Sequence, residues 1–154
     1  MLIRKALDKD AKEIVCLLKE VLEIHASIRP DLFKKGTCKY KEEDILNKLK
    51  DKNSPIYVAE EDNKFLGYLL CEIIEVNESN RNKMKVMYID DIAVKKEYRG
   101  KHIGETLFNF IKEEAKRLNC YEITLRIYEG NDAAMSFYKK MGMKVQSSYL
   151  EYLL

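Results

Sequence analysis

Residues 87–128 constrain the fold more than any other part of the chain. An apolar strand ends at Val94, a charged bend follows, and Gly100 and Gly104 open a helix. That helix should run from Ile103 to Leu118, because Ile103, Leu107, Phe110, Ile111, Ala115 and Leu118 form one stripe. Beyond it, Ile123, Leu125 and Ile127 alternate with Glu122, Thr124 and Arg126, the pattern of a half-buried strand over Tyr121 to Tyr128. Two strands joined through a helix pair in parallel by a right-handed crossover.

The flanking segments supply the rest of a mixed sheet. Leu2 to Ala6 reads as a first strand, and Asp8 or Asp10 can cap a helix carrying Ile14, Leu17, Leu18, Val21, Leu22 and His25 at helical spacing. Ile28 to Thr37 is an irregular connection, and Lys41 to Lys50 a second helix. Ile56 to Glu60 and Phe65 to Val76 flank a polar turn as a hairpin, and Lys85 to Val94 is the next strand. A helix over Asp132 to Lys140 should stop at Gly142, and Met143 to Leu154 should return to strand. The order predicts an α/β (α+β) fold, a mixed sheet with helices on its faces, built as a single domain over residues 1–154.

Composition excludes several partner classes. At 154 residues the chain is long enough for one core, and 28 basic against 26 acidic residues nearly cancel. That balance argues against nucleic acid or a membrane surface as partner, each of which calls for a concentrated basic face. No metal is expected, since Cys16, Cys38, Cys71 and Cys120 stand far apart with only His25 and His102 to help. Reduced thiols are expected, Cys16 and Cys71 acting as small hydrophobes within apolar runs. With neither a signal-like start nor an apolar run near the ~20 residues of a membrane span, a cytoplasmic location is expected.

The bend between Val94 and Leu107 is a candidate anion site. Unpaired backbone N–H groups and the positive end of a helix dipole converge there, suited to a pyrophosphate. Gly100 and Gly104 permit close approach, with Arg99 and Lys101 adding charge at the rim. An ordinary strand-to-helix turn would use glycine in the same way. Just before the bend, Asp90 and Asp91 are adjacent carboxylates in an apolar strand, directed to opposite faces unless a bulge intervenes. Solvent-exposed acids, or one that orders the bend, are the plainer reading.

The segment YIDDIAVKKEYRGKHIG, residues 88–104, resembles the acyl-CoA-binding signature of the GNAT superfamily of N-acyltransferases, Arg/Gln-x-x-Gly-x-Gly/Ala. Arg99, Ile103 and Gly104 match, while His102 stands where the central glycine is most often found, at a residue type that tolerates positive φ. EGNDAAMSFYKKMGMK resembles the later motif N-x-x-A-x-x-F-Y-x-x-x-G-F. Asn131, Ala134, Phe137, Tyr138 and Gly142 fall in register, and Met143 replaces the usual aromatic.

The resemblance implies a mostly antiparallel, twisted sheet of six to seven strands flanked by about four helices. It also implies acetyl-CoA as co-substrate, held by the backbone of Ile92, Ala93 and Val94, by the loop Arg99, Gly100, Lys101, His102, Ile103 and Gly104, and by Asn131, which is equally a good N-cap. Tyr138 is the implied general acid and cofactor contact, since a phenol can protonate a departing thiolate; a core tyrosine is the alternative. Asp90 is implied as base or amine-binding carboxylate, with Asp91 beside it on the acceptor side. His25, Arg29 and Tyr40 are further acceptor-side candidates, although His25 also fits as a satisfied core histidine.

The activity so implied is acetyl transfer to a primary amine of a small molecule by direct attack on the thioester. Acetylation of a protein N-terminus or a lysine, and acyl-CoA sensing without turnover, are the alternatives. Family members are often dimers, which makes a homodimer a partner to test.

Overall fold

The computed structural model describes residues 1–154. Five strands form one sheet in sequence order: β1 (Leu2–Lys5), β2 (Ile56–Glu61), β3 (Lys64–Val76), β4 (Met84–Val94) and β5 (Glu122–Thr124). The first four pair antiparallel, and β5 pairs parallel to β4. Four helices complete the fold: α1 (Ala11–Ile28), α2 (Glu42–Lys50), α3 (Ile103–Arg117) and α4 (Asp132–Lys140). None is long and apolar enough to cross a membrane.

Each face of the sheet has its own core. On one, Ile14, Leu17 and Leu18 of α1 and Ile45 of α2 cover Val58, Tyr68 and Leu70. On the other, Leu107, Phe108, Ile111 and Ala115 of α3 and Tyr138 of α4 cover Tyr57, Leu69, Cys71, Met87 and Ile89. Strand alternation, with period two, sends neighbouring residues of β3 into the two separate cores. The expected stripe on α3 is present, with Phe108 buried in addition.

The α1 cap differs from the expected one. Asp10 does not accept from its own helix; its carboxylate takes the Leu7 N–H at 2.7 Å and a fork of Arg4 bonds at 2.7 and 3.0 Å. Cys71 is buried as expected, but Cys16 is exposed, because its position on α1 turns away from the stripe.

The sheet has five strands rather than six to seven. Residues 143–154 make no ladder, and Val145, Tyr149, Leu150, Tyr152 and Leu153 are exposed. Their strand-like composition expresses a preference for a pleated, half-buried surface, and the chain presents none to them. The strand expected over Tyr121 to Tyr128 is likewise reduced to three residues. Its register with β4 holds only from Val86↔Glu122 to Tyr88↔Thr124, after which the two strands separate.

Gly67 explains how closely β3 and β4 approach at the far end of that opening. It pairs with Val94, and an added Cβ would be driven into the Ala93 carbonyl oxygen and lie 3.0 Å from Val94 Cα. Any larger residue there would push apart the strands that carry the site.

Candidate active site

The opening between β4 and β5 begins at Tyr88, and two residues later β4 carries a bulge. The register runs Leu70↔Asp91 and then Cys71↔Ile89, so Asp90 is the extra residue. In a bulge two residues oppose one, which suspends the alternation. As a result both adjacent carboxylates turn towards the α1–α2 face. Asp90 accepts the Tyr40 hydroxyl at 2.8 Å and an ion pair from Lys39 Nζ, while Asp91 accepts the Tyr68 hydroxyl.

These partners set the electrostatics. The Asp91 carboxyl is pushed up to about 6, chiefly by burial, with the Asp90 charge adding and the Tyr68 hydrogen bond and Lys39 opposing. Asp91 as a whole residue is partly rather than fully buried. Burial and Asp90 together raise the Tyr40 phenol. This face of β4 thus holds two carboxylates, one ion-paired to an ammonium and one whose pKa is raised to about 6.

After β4 the chain builds the candidate anion loop. Lys96–Tyr98 form one 3-10 turn, Gly100 follows at φ +77°, and His102 takes the left-handed conformation at φ 60° immediately before α3. The first α3 hydrogen bond of this turn runs from Thr106 N to His102 O, so the N–H groups of Ile103, Gly104 and Glu105 have no acceptor within the helix. They border a cleft of 250 Å³ lined by Val94, Tyr98, Arg99, Gly104 and Phe137 among others.

Arg99 is exposed at the rim, its Nε donating to Val94 O at 2.9 Å and its guanidinium 3.7 Å from the Glu20 carboxylate. Lys101 Nζ lies 5.4 Å from the centre of the Tyr98 ring. Glu105, the one carboxylate in the first turn, is bound by Lys140 Nζ at 2.6 Å and His102 Nδ1 at 3.0 Å.

Above this loop, Ile92, Ala93 and Val94 pair with β3 through Leu69, Tyr68 and Gly67, and their other edge faces the opening beyond β5. Tyr138 is 9% exposed and packs against Phe108 and Phe137, its ring 6.0 and 5.0 Å from theirs. Burial raises its phenol, with the charge of Asp91 and the Cys71 thiol contributing. Asn131 is an N-cap of α4, accepting from Ala134 N at 3.3 Å.

The remaining acceptor-side candidates part company. Tyr40 is brought to Asp90. His25 is half-buried in an aromatic cluster, 5.3 Å from Phe33 and 5.9 Å from Tyr128 between ring centres, and burial lowers its pKa. Arg29 is bound away from the carboxylates, with bonds of 2.7 and 2.9 Å to Asp31 and of 2.6 and 3.1 Å to Glu151. Lys39, Tyr68, Phe33 and Tyr128 are not legible as site residues: Phe33 and Lys39 lie outside the patterned segments, and Tyr68 and Tyr128 lie in expected strands without a motif around them. Tyr68 alone had a signal: folding β3 onto β4 sets it near Ala93 and Asp91 once the register is known.

A second cleft, of 790 Å³, lies on the outer side of β5 between α3 and residues 143–147. Lys112, Lys116, Glu122, Lys139 and Lys144 line it together with Tyr138, but it lacks the glycine turn and the α3 N-terminus that make the smaller cleft the candidate anion site.

A model of the acetyltransferase (GNAT) family matches residues 18–143, and the chain belongs to that family of acyltransferases. N-alpha-acetyltransferase 30 of Schizosaccharomyces pombe is 33% identical over 86 residues, 56% of this chain and 55% of that protein. A putative ribosomal protein bS18-alanine N-acetyltransferase of Bacillus subtilis is 36% identical over 87 residues, 56% of this chain and 52% of that protein. The chain thus spans about half the length of these curated relatives. Among solved structures, a variant of the BH1408 protein from Bacillus halodurans is similar at a TM-score of 0.95 with 27% identity, over 100% of this chain and 99% of that one.

Proposed function

We propose that this protein transfers an acetyl group from acetyl-CoA to a primary amine of a small molecule, the 154 residues acting as one catalytic unit. The observation that carries this reading is the bulge at Asp90, which sets two carboxylates side by side where β4 parts from β5, next to the anion loop. The loop N–H groups and the dipole of α3 suit the pyrophosphate of the coenzyme. The free edge of Ile92 to Val94 suits its pantetheine arm, by strand addition.

An alkylammonium with a pKa of ~10.4 is neutral only about once in 2,500 at pH 7, a deficit of roughly 4.6 kcal/mol. Asp90 holds the amine, and Asp91, which titrates near neutrality, is the nearby acceptor of its proton. Attack on the thioester carbon forms the amide bond and breaks the C–S bond. Tyr138 protonates the leaving thiolate.

The test is free-thiol release from acetyl-CoA against polyamines, amino sugars, aminoglycosides, amino acids and short peptides. Amine-dependent release by a small molecule is the expected result. Release with peptides alone would favour N-terminal acetylation, the reading supported by the two relatives with that activity in their names. Thermal stabilisation by acetyl-CoA without any release would favour ligand sensing.

Gly104→Ala tests the loop. An added Cβ would lie 3.5 Å from the Phe137 ring, an ordinary contact, so the protein has room for it. The variant is expected to keep its melting temperature and bind coenzyme A about ten-fold more weakly, about 1.4 kcal/mol. Unchanged affinity by calorimetry would remove the close approach at Gly104.

A homodimer is also proposed, supported by the exposed Tyr149, Leu150, Tyr152 and Leu153 and by the open cleft beside β5. Light scattering should then give twice the chain's 18.1 kDa, and a monomer mass would end that proposal.

A further inference from the structure

The amine-binding position proposed above is already occupied by an amine of the protein itself. Lys39 Nζ is ion-paired to Asp90 Oδ1, and the Tyr40 hydroxyl holds the second oxygen at 2.8 Å. The same ammonium stands 5.3 Å from the centre of the Tyr40 ring, so a carboxylate and an aromatic face bind it together. The pair is asymmetric: the Asp90 side chain is 6% exposed and the Lys39 side chain 48%. A fixed, sunken carboxylate therefore receives a long, mobile side chain that reaches in from the surface.

Lys48 provides an internal comparison. It is also close to Tyr40, at 4.8 Å from the ring centre, but its ammonium is bound by Glu72 at 2.9 Å instead. Lys39 is the lysine that contacts the bulge, and the bulge lies where β4 turns its free edge to the opening. Its charge also reaches Asp91 and His25, while Tyr40, Tyr68 and Glu72 are further titratable groups on this side of the site.

We propose that Lys39 is an acyl acceptor of this site: when no free amine displaces it from Asp90, its ε-amine takes the acetyl group. The proposal rests on the amine acetyltransferase reading. The ammonium loses one proton to solvent by way of the Asp90–Asp91 carboxylates. Its lone pair attacks the thioester carbon, a C–N bond forms and the C–S bond breaks. The second nitrogen proton balances the coenzyme thiolate, giving acetyl-lysine, free coenzyme A thiol and one released proton. No reactant beyond acetyl-CoA is required.

Incubation of the whole protein with acetyl-CoA alone, followed by peptide mass mapping, tests this. One acetyl group is expected on Lys39, at a first-order rate independent of protein concentration and about 100-fold faster than at Lys48 or any exposed lysine, the low end of positioned proton-transfer catalysis. Added 1,4-diaminobutane should slow it, and Asp90→Asn should bring Lys39 down to the background rate while acetyl-CoA still raises the melting temperature.

An unlabelled Lys39 overturns the proposal, as does labelling no faster than background or unaffected by Asp90→Asn. If the same preparation releases thiol with free amines while Lys39 stays unmodified, this inference alone fails. If neither occurs, the amine acetyltransferase reading fails with it.

Discussion

Tyr138→Phe is expected to lower kcat by roughly 10- to 100-fold, at or just under the low end of the range for general acid catalysis. The ring of Tyr138 is packed between Phe108 and Phe137, and phenylalanine keeps those contacts. Its hydroxyl is not among the buried polar atoms that need a partner, so its removal leaves no orphaned group in the core. Coenzyme affinity and melting temperature should therefore hold while turnover falls. Burial, the charge of Asp91 and the Cys71 thiol all raise the phenol, which keeps its proton available at neutral pH. Thiol release at saturating amine is the measurement, and an unchanged kcat would reduce Tyr138 to a packing residue.

The second large effect concerns stability. The folded Asp91 carboxyl stands at about 6, against an unperturbed carboxyl at 3.8. Because the folded value is the higher, the native state binds more protons than the unfolded one between about pH 4 and 6. Stability accordingly falls as pH rises through that window. Above it the full cost is present, on the order of 3 kcal/mol.

Asn at 91 is neutral and its carbonyl can still accept from Tyr68, so Asp91→Asn should raise stability at pH 8 by up to about 3 kcal/mol. The gain should vanish near pH 4, and amine acetylation should drop if Asp91 is the proton acceptor proposed above. Denaturant melts at the two pH values measure it. A variant no more stable than the parent at pH 8 would contradict a costly, buried carboxylate at this position. The expected trade of stability for function is characteristic of an active-site charge.

The legible parts of this molecule are those whose cause is local. The α3 stripe, the hairpin of β2 and β3 and the left-handed Gly142 after α4, at φ +90°, follow from spacing within one or two turns of chain. His102 takes the positive φ that its residue type tolerates. The misreadings were equally physical. Residues 143–154 have the composition of a strand, but a strand requires a neighbour, and no short stretch of sequence says whether one is present. Cys16 lies in an apolar run, yet burial on a helix depends on angle, and its angle points outward.

The site divides along the same line. Taken alone, the sequence determined the strand–bend–helix that gathers backbone N–H groups at the proposed anion loop, because glycine spacing, helix polarity and apolar periodicity are properties of contiguous residues. It also presented Asp90 and Asp91 as a pair without deciding their direction. The tertiary structure decided that. The register slip between Leu70 and Cys71 creates the bulge, and the separation of β5 from β4 after Tyr88 opens the cleft. The fold also delivers Lys39, Tyr40 and Tyr68 to the two carboxylates from 51, 50 and 23 residues away. Such contacts depend on how strands align across the sheet, and alignment is set by the packing of the whole core rather than by any segment within it.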